Sequence, residues 1–331
     1  MAQMPIDVLT IGNAIVDVLA RVDEAFLEKN KLVKASMRLI EEPEAHRLYE
    51  LVGPSVIISG GSAANTAAGI SSLGGRAAFM GKVRDDQLGE FFTHDIRAAG
   101  VIFEGQPATS GPATARSFIL ITPDGERTMN TYLGACTTLS PKDIDKVMVE
   151  EAAVTYLEGY LWDPPAAKDA FVKAAQLARK AGRKVALTLS DSFCVDRHRS
   201  SFRELISRDI DILFANEREL ASLYETRFFD EALQHVRNEV ELAVLTRSEA
   251  GSIVACQDEF HIIEAKKIAK LVDATGAGDL YASGFLFGFT RGRPLAECAR
   301  LGSLAAAEVI SHLGARPQTS LKALAEAAGF G

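Results

Sequence analysis

The chain has 331 residues, 47% hydrophobic and 24% charged, with a net charge of −8. Its length predicts one large domain, or a large domain with a small companion. The negative balance excludes nucleic acid and anionic membranes as expected partners, but not a phosphorylated ligand held by local backbone donors. Cys136, Cys194, Cys256 and Cys298 are scattered without a CxxC pair, which argues against a zinc site and a disulfide scaffold. Met1–Asp7 shows neither a basic n-region nor an apolar h-region, so no signal peptide is expected. The longest strongly apolar run, Leu280–Thr290, is too short to span a bilayer. A reducing cytoplasm is the expected setting.

In chain order, Ile6–Ile11 reads as a buried strand of a parallel sheet. Gly12, Asn13 and Asp17 follow it, and Asp17 lies just past the strand's carboxyl end, where open α/β sheets place ligands. A carboxylate there suits a pair of hydroxyls, and suits a turn as well. Val18–Val22 and Met37–Ile40 read as short strands around a polar helical piece, Glu24–Asn30, together part of a small β lid. In Ser59–Gly69, Gly60 and Gly61 precede a small-residue helix that Ser62 is expected to cap. Those glycines permit close approach to a ligand, or simply tight packing. Thr114–Ile121 and Arg127–Leu133 alternate around the turn Pro123–Glu126 and predict a lid hairpin. On it, Arg116 and Asn130 are candidates to face a ligand, and Phe118 and Tyr132 to stack on a flat base. Solvent exposure is the competing role for the first two, core packing for the others.

From Ser140 onward, helices Pro141–Glu151, Pro165–Ala181 and Ser201–Arg208 alternate with strands Val154–Leu157, Lys184–Leu189, Ile210–Phe214 and Ala243–Thr246. That alternation predicts a parallel sheet with helices on both faces. Asn216 and Glu219 follow one strand; their spacing fits a capping box and also a water-mediated magnesium pair. Thr246 and Gly251 follow the next strand, with Arg247 between them. Asp273–Ala274–Thr275–Gly276–Ala277–Gly278–Asp279 then opens an apolar helix. Glycines at a helix start make an anion site. Asp279, an acid beside that site, is either an N-cap or a general base for a hydroxyl attacking phosphorus. The loop is no Walker A motif, and Tyr281 stands where a dinucleotide fingerprint needs its third glycine. Small residues in Leu301–Ser311 predict a closely packed helix.

The string Asp273–Asp279 resembles the second signature of the PfkB (ribokinase-like) family of sugar and nucleoside kinases, with Ala274 in place of the usual threonine. Ser59–Gly75 with Gly81–Gly89 resembles its first signature. Asn13 with Asp17, Asn216 with Glu219, Thr246 with Gly251, and Gly314–Pro317 resemble further family segments, in order and over nearly the whole chain. The resemblance implies a ribokinase-like α/β fold: a central, mostly parallel sheet with helices on both faces, plus a small β-sheet lid. Residues 1–12, 41–112 and 134–331 would form the large domain, and 13–40 and 113–133 the lid. It implies an ATP-dependent kinase for a nucleoside, adenosine before others, with a ribokinase- or fructokinase-type sugar kinase as the alternative. An NAD-dependent Rossmann oxidoreductase is remote, because Gly12 is the only glycine directly after the first strand. The implied roles are Asp17, Asn13, Gly60, Gly61 and Asn65 on the acceptor, and Asp279 as base beside Gly276, Ala277 and Gly278. Asn216, Thr246, Gly251, Gly276 and Gly278 would hold ATP. Mg2+ would lie near Asn216 and Glu219 through water, and a monovalent cation such as K+ near Asp273. The chain would be a monomer or homodimer.

Overall fold

The computed structural model describes residues 5–257 and 259–330. Its strands are β1 (Val8–Ile11), β2 (Ile15–Arg21), β3 (Met37–Leu39), β4 (Ser55–Ser59), β5 (Ala77–Met80), β6 (Ala115–Ile121), β7 (Arg127–Tyr132), β8 (Val154–Glu158), β9 (Lys184–Thr188), β10 (Ile212–Asn216), β11 (Leu242–Thr246), β12 (Ser252–Cys256) and β13 (Glu259–Ile263). An eight-stranded sheet runs β13-β12-β11-β10-β9-β8-β1-β5. Pairing is parallel from β5 to β11, and β12 and β13 close one edge antiparallel. Strands such as β1 and β8 are buried along their whole length, because helices cover both faces. Helix Ala277–Phe289 lies against this sheet, with Phe285 edge-on to Phe214 of β10 at 5.6 Å.

A helix expected over Pro141–Glu151 is split. A 3₁₀ turn, Pro141–Asp143, ends in its own capping box with Ser140, and helix Lys146–Glu151 starts afresh. The Asp145 carboxylate causes the restart by accepting the amides of Val147 and Met148. Ser201–Arg208 lies inside a longer helix, Ser192–Asp209, bent at His198.

The second sheet is five-stranded, β3-β7-β6-β2-β4. It takes in residues assigned above to the large domain. Strand β4 pairs antiparallel with β2, Val16 opposite Ser59, and so fills an edge that β2 would otherwise leave open. Helix Glu42–Leu51 presses Ala45 and Leu48 onto the sheet's back, against Val18, Phe118 and Leu120. The stretch from Glu42 to Ser59 therefore packs with the lid. Among the described residues, no helix is long and apolar enough to cross a membrane.

Candidate active site

A cleft of about 480 Å³ lies where the carboxyl ends of the parallel strands meet the small sheet and the start of helix Ala277–Phe289. Crossover connections leave that end of such a sheet open for ligands. Asn13, Glu158, Thr188, Asn216 and Thr246 all reach the cleft from strand ends.

The glycine loop is shaped by Gly276, which sits in the left-handed region at φ +80°. A side chain there would stand 2.8 Å from the Ala315 β-carbon, so both conformation and space demand glycine. The amide of Ala277, expected to face an anion, instead donates to the Ala274 carbonyl at 3.2 Å. Among the described residues, the amides of Gly276, Gly278 and Asp279 meet no acceptor. They are the free donors that a helix start offers an anion. Asp279 accepts from the Ser62 hydroxyl at 2.6 Å and from the Asn65 amide at 2.9 Å. Ser62 was expected to cap its helix, but the N-cap is Gly61, at φ +91°, and the Ser62 hydroxyl serves Asp279. Burial pushes the Asp279 carboxyl above its ordinary pKa, and the bonds from Ser62 and Asn65 hold it back.

Asp17 is 9% exposed and lines the same cleft. Burial raises its pKa to about 7, against the pull of Arg316 and Arg127, and no hydrogen bond from a described residue offsets it. Gly60 lies behind it: a β-carbon there would come 2.3 Å from an Asp17 oxygen. Gly61 likewise leaves room for the Asn13 carbonyl. Asn13 donates its side-chain amide to Glu158 at 2.7 Å, while its own Oδ1, like that of Asn65, is buried with no partner among the described residues. The sequence reading missed Glu158. It ends β8, accepts the Ala63 amide at 2.8 Å, and is pushed by burial to a pKa of about 7. Its signal was the one that marked Asp17, an acid at the carboxyl end of an apolar strand.

On the opposite side, Asn216 and Glu219 form a capping box. The Asn216 side chain accepts from the amides of Arg218 and Glu219, and Glu219 accepts the Asn216 amide at 3.0 Å. Glu219 nevertheless lines the cleft, and burial with repulsion from Asp191 and Asp279 raises its pKa to about 7. Thr246 pairs beside Asn216 in the sheet and also lines the cleft. Gly251 does not: it turns β11 into β12 at φ +86°, packed against the Ile263 carbonyl. Arg247 points away too, paired with Glu217 at 2.8 Å and stacked over Phe229. Asp273 is buried, and both its oxygens are engaged, by the amides of Thr275 and Gly314 and by the Arg127 guanidinium. The carboxylate expected beside a monovalent cation thus carries an arginine from the lid. Arg127, a second omission, also bonds the Thr275 hydroxyl. Among the described residues, no group of three or more His, Cys, Asp or Glu could hold a metal.

The lid candidates all fall on the wrong face. Side chains alternate across a sheet, so a one-residue choice decides which side is reached. Ser117, Ile119, Met129 and Thr131 face the cleft. Phe118 and Tyr132 pack in the core behind it. Arg116 is buried near Tyr49 and Phe118, and Asn130 accepts from Arg38 at 2.6 Å.

The model of the pfkB family of carbohydrate kinases matches residues 9–322. A crystal structure described as adenosine kinase from Sinorhizobium meliloti is 56% identical, covering 98% of this chain and 99% of that one, with a TM-score of 0.93. A probable sugar kinase from Rhizobium etli CFN 42 is 51% identical, covering 99% and 100%, with a TM-score of 0.94. The ATP-dependent ribose-1-phosphate kinase of Halopiger xanaduensis is 31% identical over 258 residues, 72% of this chain and 78% of that protein. The expected α/β architecture, a large mostly parallel sheet with a smaller one, is that of the adenosine kinase structure. With this fold, an acid beside free helix-start amides, and a family match over almost its full length, the chain belongs to the pfkB family of carbohydrate kinases and is a phosphotransferase acting on a sugar or nucleoside hydroxyl.

Proposed function

We propose that this chain is an ATP-dependent nucleoside kinase, with adenosine as its preferred acceptor. One observation carries the reading: Asp17, a carboxylate with no hydrogen-bond donor among the described residues, lines the cleft that holds Asp279, with Asn13 and Asn65 lining it as well. A buried, unpaired carboxylate in a cleft calls for a ligand that brings hydroxyl donors. The cleft face of the lid is apolar at Ile15, Met37, Leu39, Ile119 and Met129. A flat base attached to a ribose would cover it, whereas a free sugar would leave it wet. The adenosine kinase at 56% identity supports the same choice.

In this reading Asp17 takes two neighbouring ribose hydroxyls, and Asn65 and Asn13 orient the ring. The primary hydroxyl approaches Asp279, held in place by Ser62 and Asn65. Its oxygen forms the new bond to the γ-phosphorus as the bond to the β-phosphate oxygen breaks, and Asp279 takes the hydroxyl proton. The free amides of Gly278 and Asp279 stabilise charge on the transferred group. Arg127 fixes Asp273 and Thr275, so the lid and the glycine loop share one brace. Glu219, already bonded to Asn216, would reach Mg2+ through water; the ion would neutralise charge on the phosphates of ATP. Arg127 already sets a positive charge against Asp273, the carboxylate beside which a monovalent cation such as K+ was expected.

The test is coupled ADP release over adenosine, other nucleosides, ribose, fructose and ribose 1-phosphate. Adenosine should show the highest kcat/KM, by about tenfold or more. Turnover of a free sugar or sugar phosphate with none of any nucleoside would overturn the acceptor and leave the kinase assignment standing.

A further inference from the structure

Among the described residues that line the active cleft, Arg197 is the one Lys, Arg or His side chain. The same lining carries five carboxylates, those of Asp17, Glu158, Asp163, Glu219 and Asp279. A polyanionic triphosphate entering so acidic a cleft needs counter-charge. Arg197 stands on helix Ser192–Asp209, just before its bend at His198. Asp163 follows the short turn Gly159–Trp162 past the end of β8. Its two oxygens accept from Arg197, one from Nε at 3.2 Å and the other from Nη2 at 3.0 Å, a two-pronged fit that fixes the guanidinium plane. Behind the pair, Lys168 donates Nζ to His198 Nδ1 at 3.3 Å, so His198 carries its proton on Nε2 and donates it to Asp163 at 2.5 Å. Arg197 Nη1 meets no acceptor among the described residues. The Arg197 side chain is 47% exposed, so a ligand in the cleft can reach it, and an ion pair this exposed contributes little to stability. In the sheet, β8 and β9 lie between β1 on one side and β10 and β11 on the other. Arg197 therefore overhangs strand ends between Asn13, on the acceptor side, and Asn216 and Thr246, on the nucleotide side.

We propose that Arg197 binds the phosphate chain of the donor nucleotide, its Nη1 donating to an oxygen of the β- or γ-phosphate while Asp163 holds the other edge. This rests on ATP as the donor in the reading above. The free amides of the glycine loop would then meet the transferred group from one side and Arg197 from the other, so that charge is offset without a further lid residue. The bend at His198 gives that residue its place in the brace, turned back onto Asp163.

Isothermal titration of the full chain with Mg2+ tests this, using ADP in one arm and the β,γ-imido analogue of ATP in the other. Arg197→Met removes the charge and keeps the stem, and should bind the analogue about fivefold or more weakly than wild type does. An equal loss with ADP assigns the β-phosphate; a loss with the analogue alone assigns the γ-phosphate. Arg197→Lys keeps the charge without the fork and should fall between wild type and Arg197→Met. Adenosine carries the same base and ribose without charge, and its affinity should hold in both variants. Circular dichroism and urea midpoints report whether each variant is folded. Binding of both nucleotides by the folded variants within about twofold of wild type would overturn the proposal and leave the kinase reading standing. So would a loss as large for adenosine as for the nucleotides, which would take Arg197 off the phosphates. Wild type that bound neither nucleotide would sink the ATP reading and this proposal with it.

Discussion

Removing one hydroxyl from the acceptor should expose the role of Asp17. Its carboxylate is 9% exposed, receives no hydrogen bond from a described residue, and has a pKa raised to about 7 by burial. A ribose diol would supply two charge-assisted hydrogen bonds, each worth about 1.5–3 kcal/mol. A 2′-deoxynucleoside leaves one of them unmade and one carboxylate oxygen dry. The loss in kcat/KM should then be roughly ten- to a hundredfold or slightly more. In Asp17→Ala the partner of the missing hydroxyl is absent too, so the gap between ribo- and deoxyribo-substrate should shrink to about threefold or less. The assay is kcat/KM for two enzymes on two substrates, a double comparison in which only coupling between hydroxyl and carboxylate survives. Simple addition of the two losses would show that Asp17 does not touch the diol.

Gly60→Ala should act through the same carboxylate. Its β-carbon would stand 2.3 Å from an Asp17 oxygen, so KM for the acceptor should rise about tenfold while KM for ATP holds; equal changes in both would refute this. Glu219→Gln should raise the Mg2+ concentration for half-maximal rate by roughly tenfold, whereas a lowered melting temperature alone would reduce Glu219 to its capping role. Ionised Asp17 is the binding form and its pKa is raised to about 7, so kcat/KM should climb as pH rises through about 7 and then level. Stability should move the other way. Asp17, Glu158 and Glu219 are all raised to about 7, so their contribution is fullest below the unfolded carboxylate range and is lost as pH rises through about 7. A kcat/KM flat from about pH 5.5 to about pH 8 would contradict the first half; a urea midpoint that rises over that span would contradict the second.

The parallel sheet, the glycine loop and the lid hairpin were legible because each rests on a local signal: apolar runs, Gly276 in a left-handed turn, and the turn residues Pro123–Glu126. What was not legible depends on distant partners. Strand β4 joins the lid only because β2 has an open edge there. The choice of Phe118 over Ile119 turned on strand parity, which the helix Glu42–Leu51 settles by covering one face. Arg127 reads as an ordinary hairpin residue until Asp273, far along the chain, is seen beneath it. Asn216 and Glu219 show the opposite case. Their spacing fitted two roles, and the capping box that forms leaves Glu219 still lining the cleft.

Asp279→Asn, assayed in single turnover with saturating ATP and adenosine, tests the central claim most directly. An amide of the same shape can keep the bond from Ser62 but cannot accept the hydroxyl proton. The account predicts a folded protein, ATP affinity within about threefold of wild type, and a chemical step slower by about 10²–10⁴. A chemical step within about threefold of wild type would remove Asp279 from the base role and contradict the mechanism.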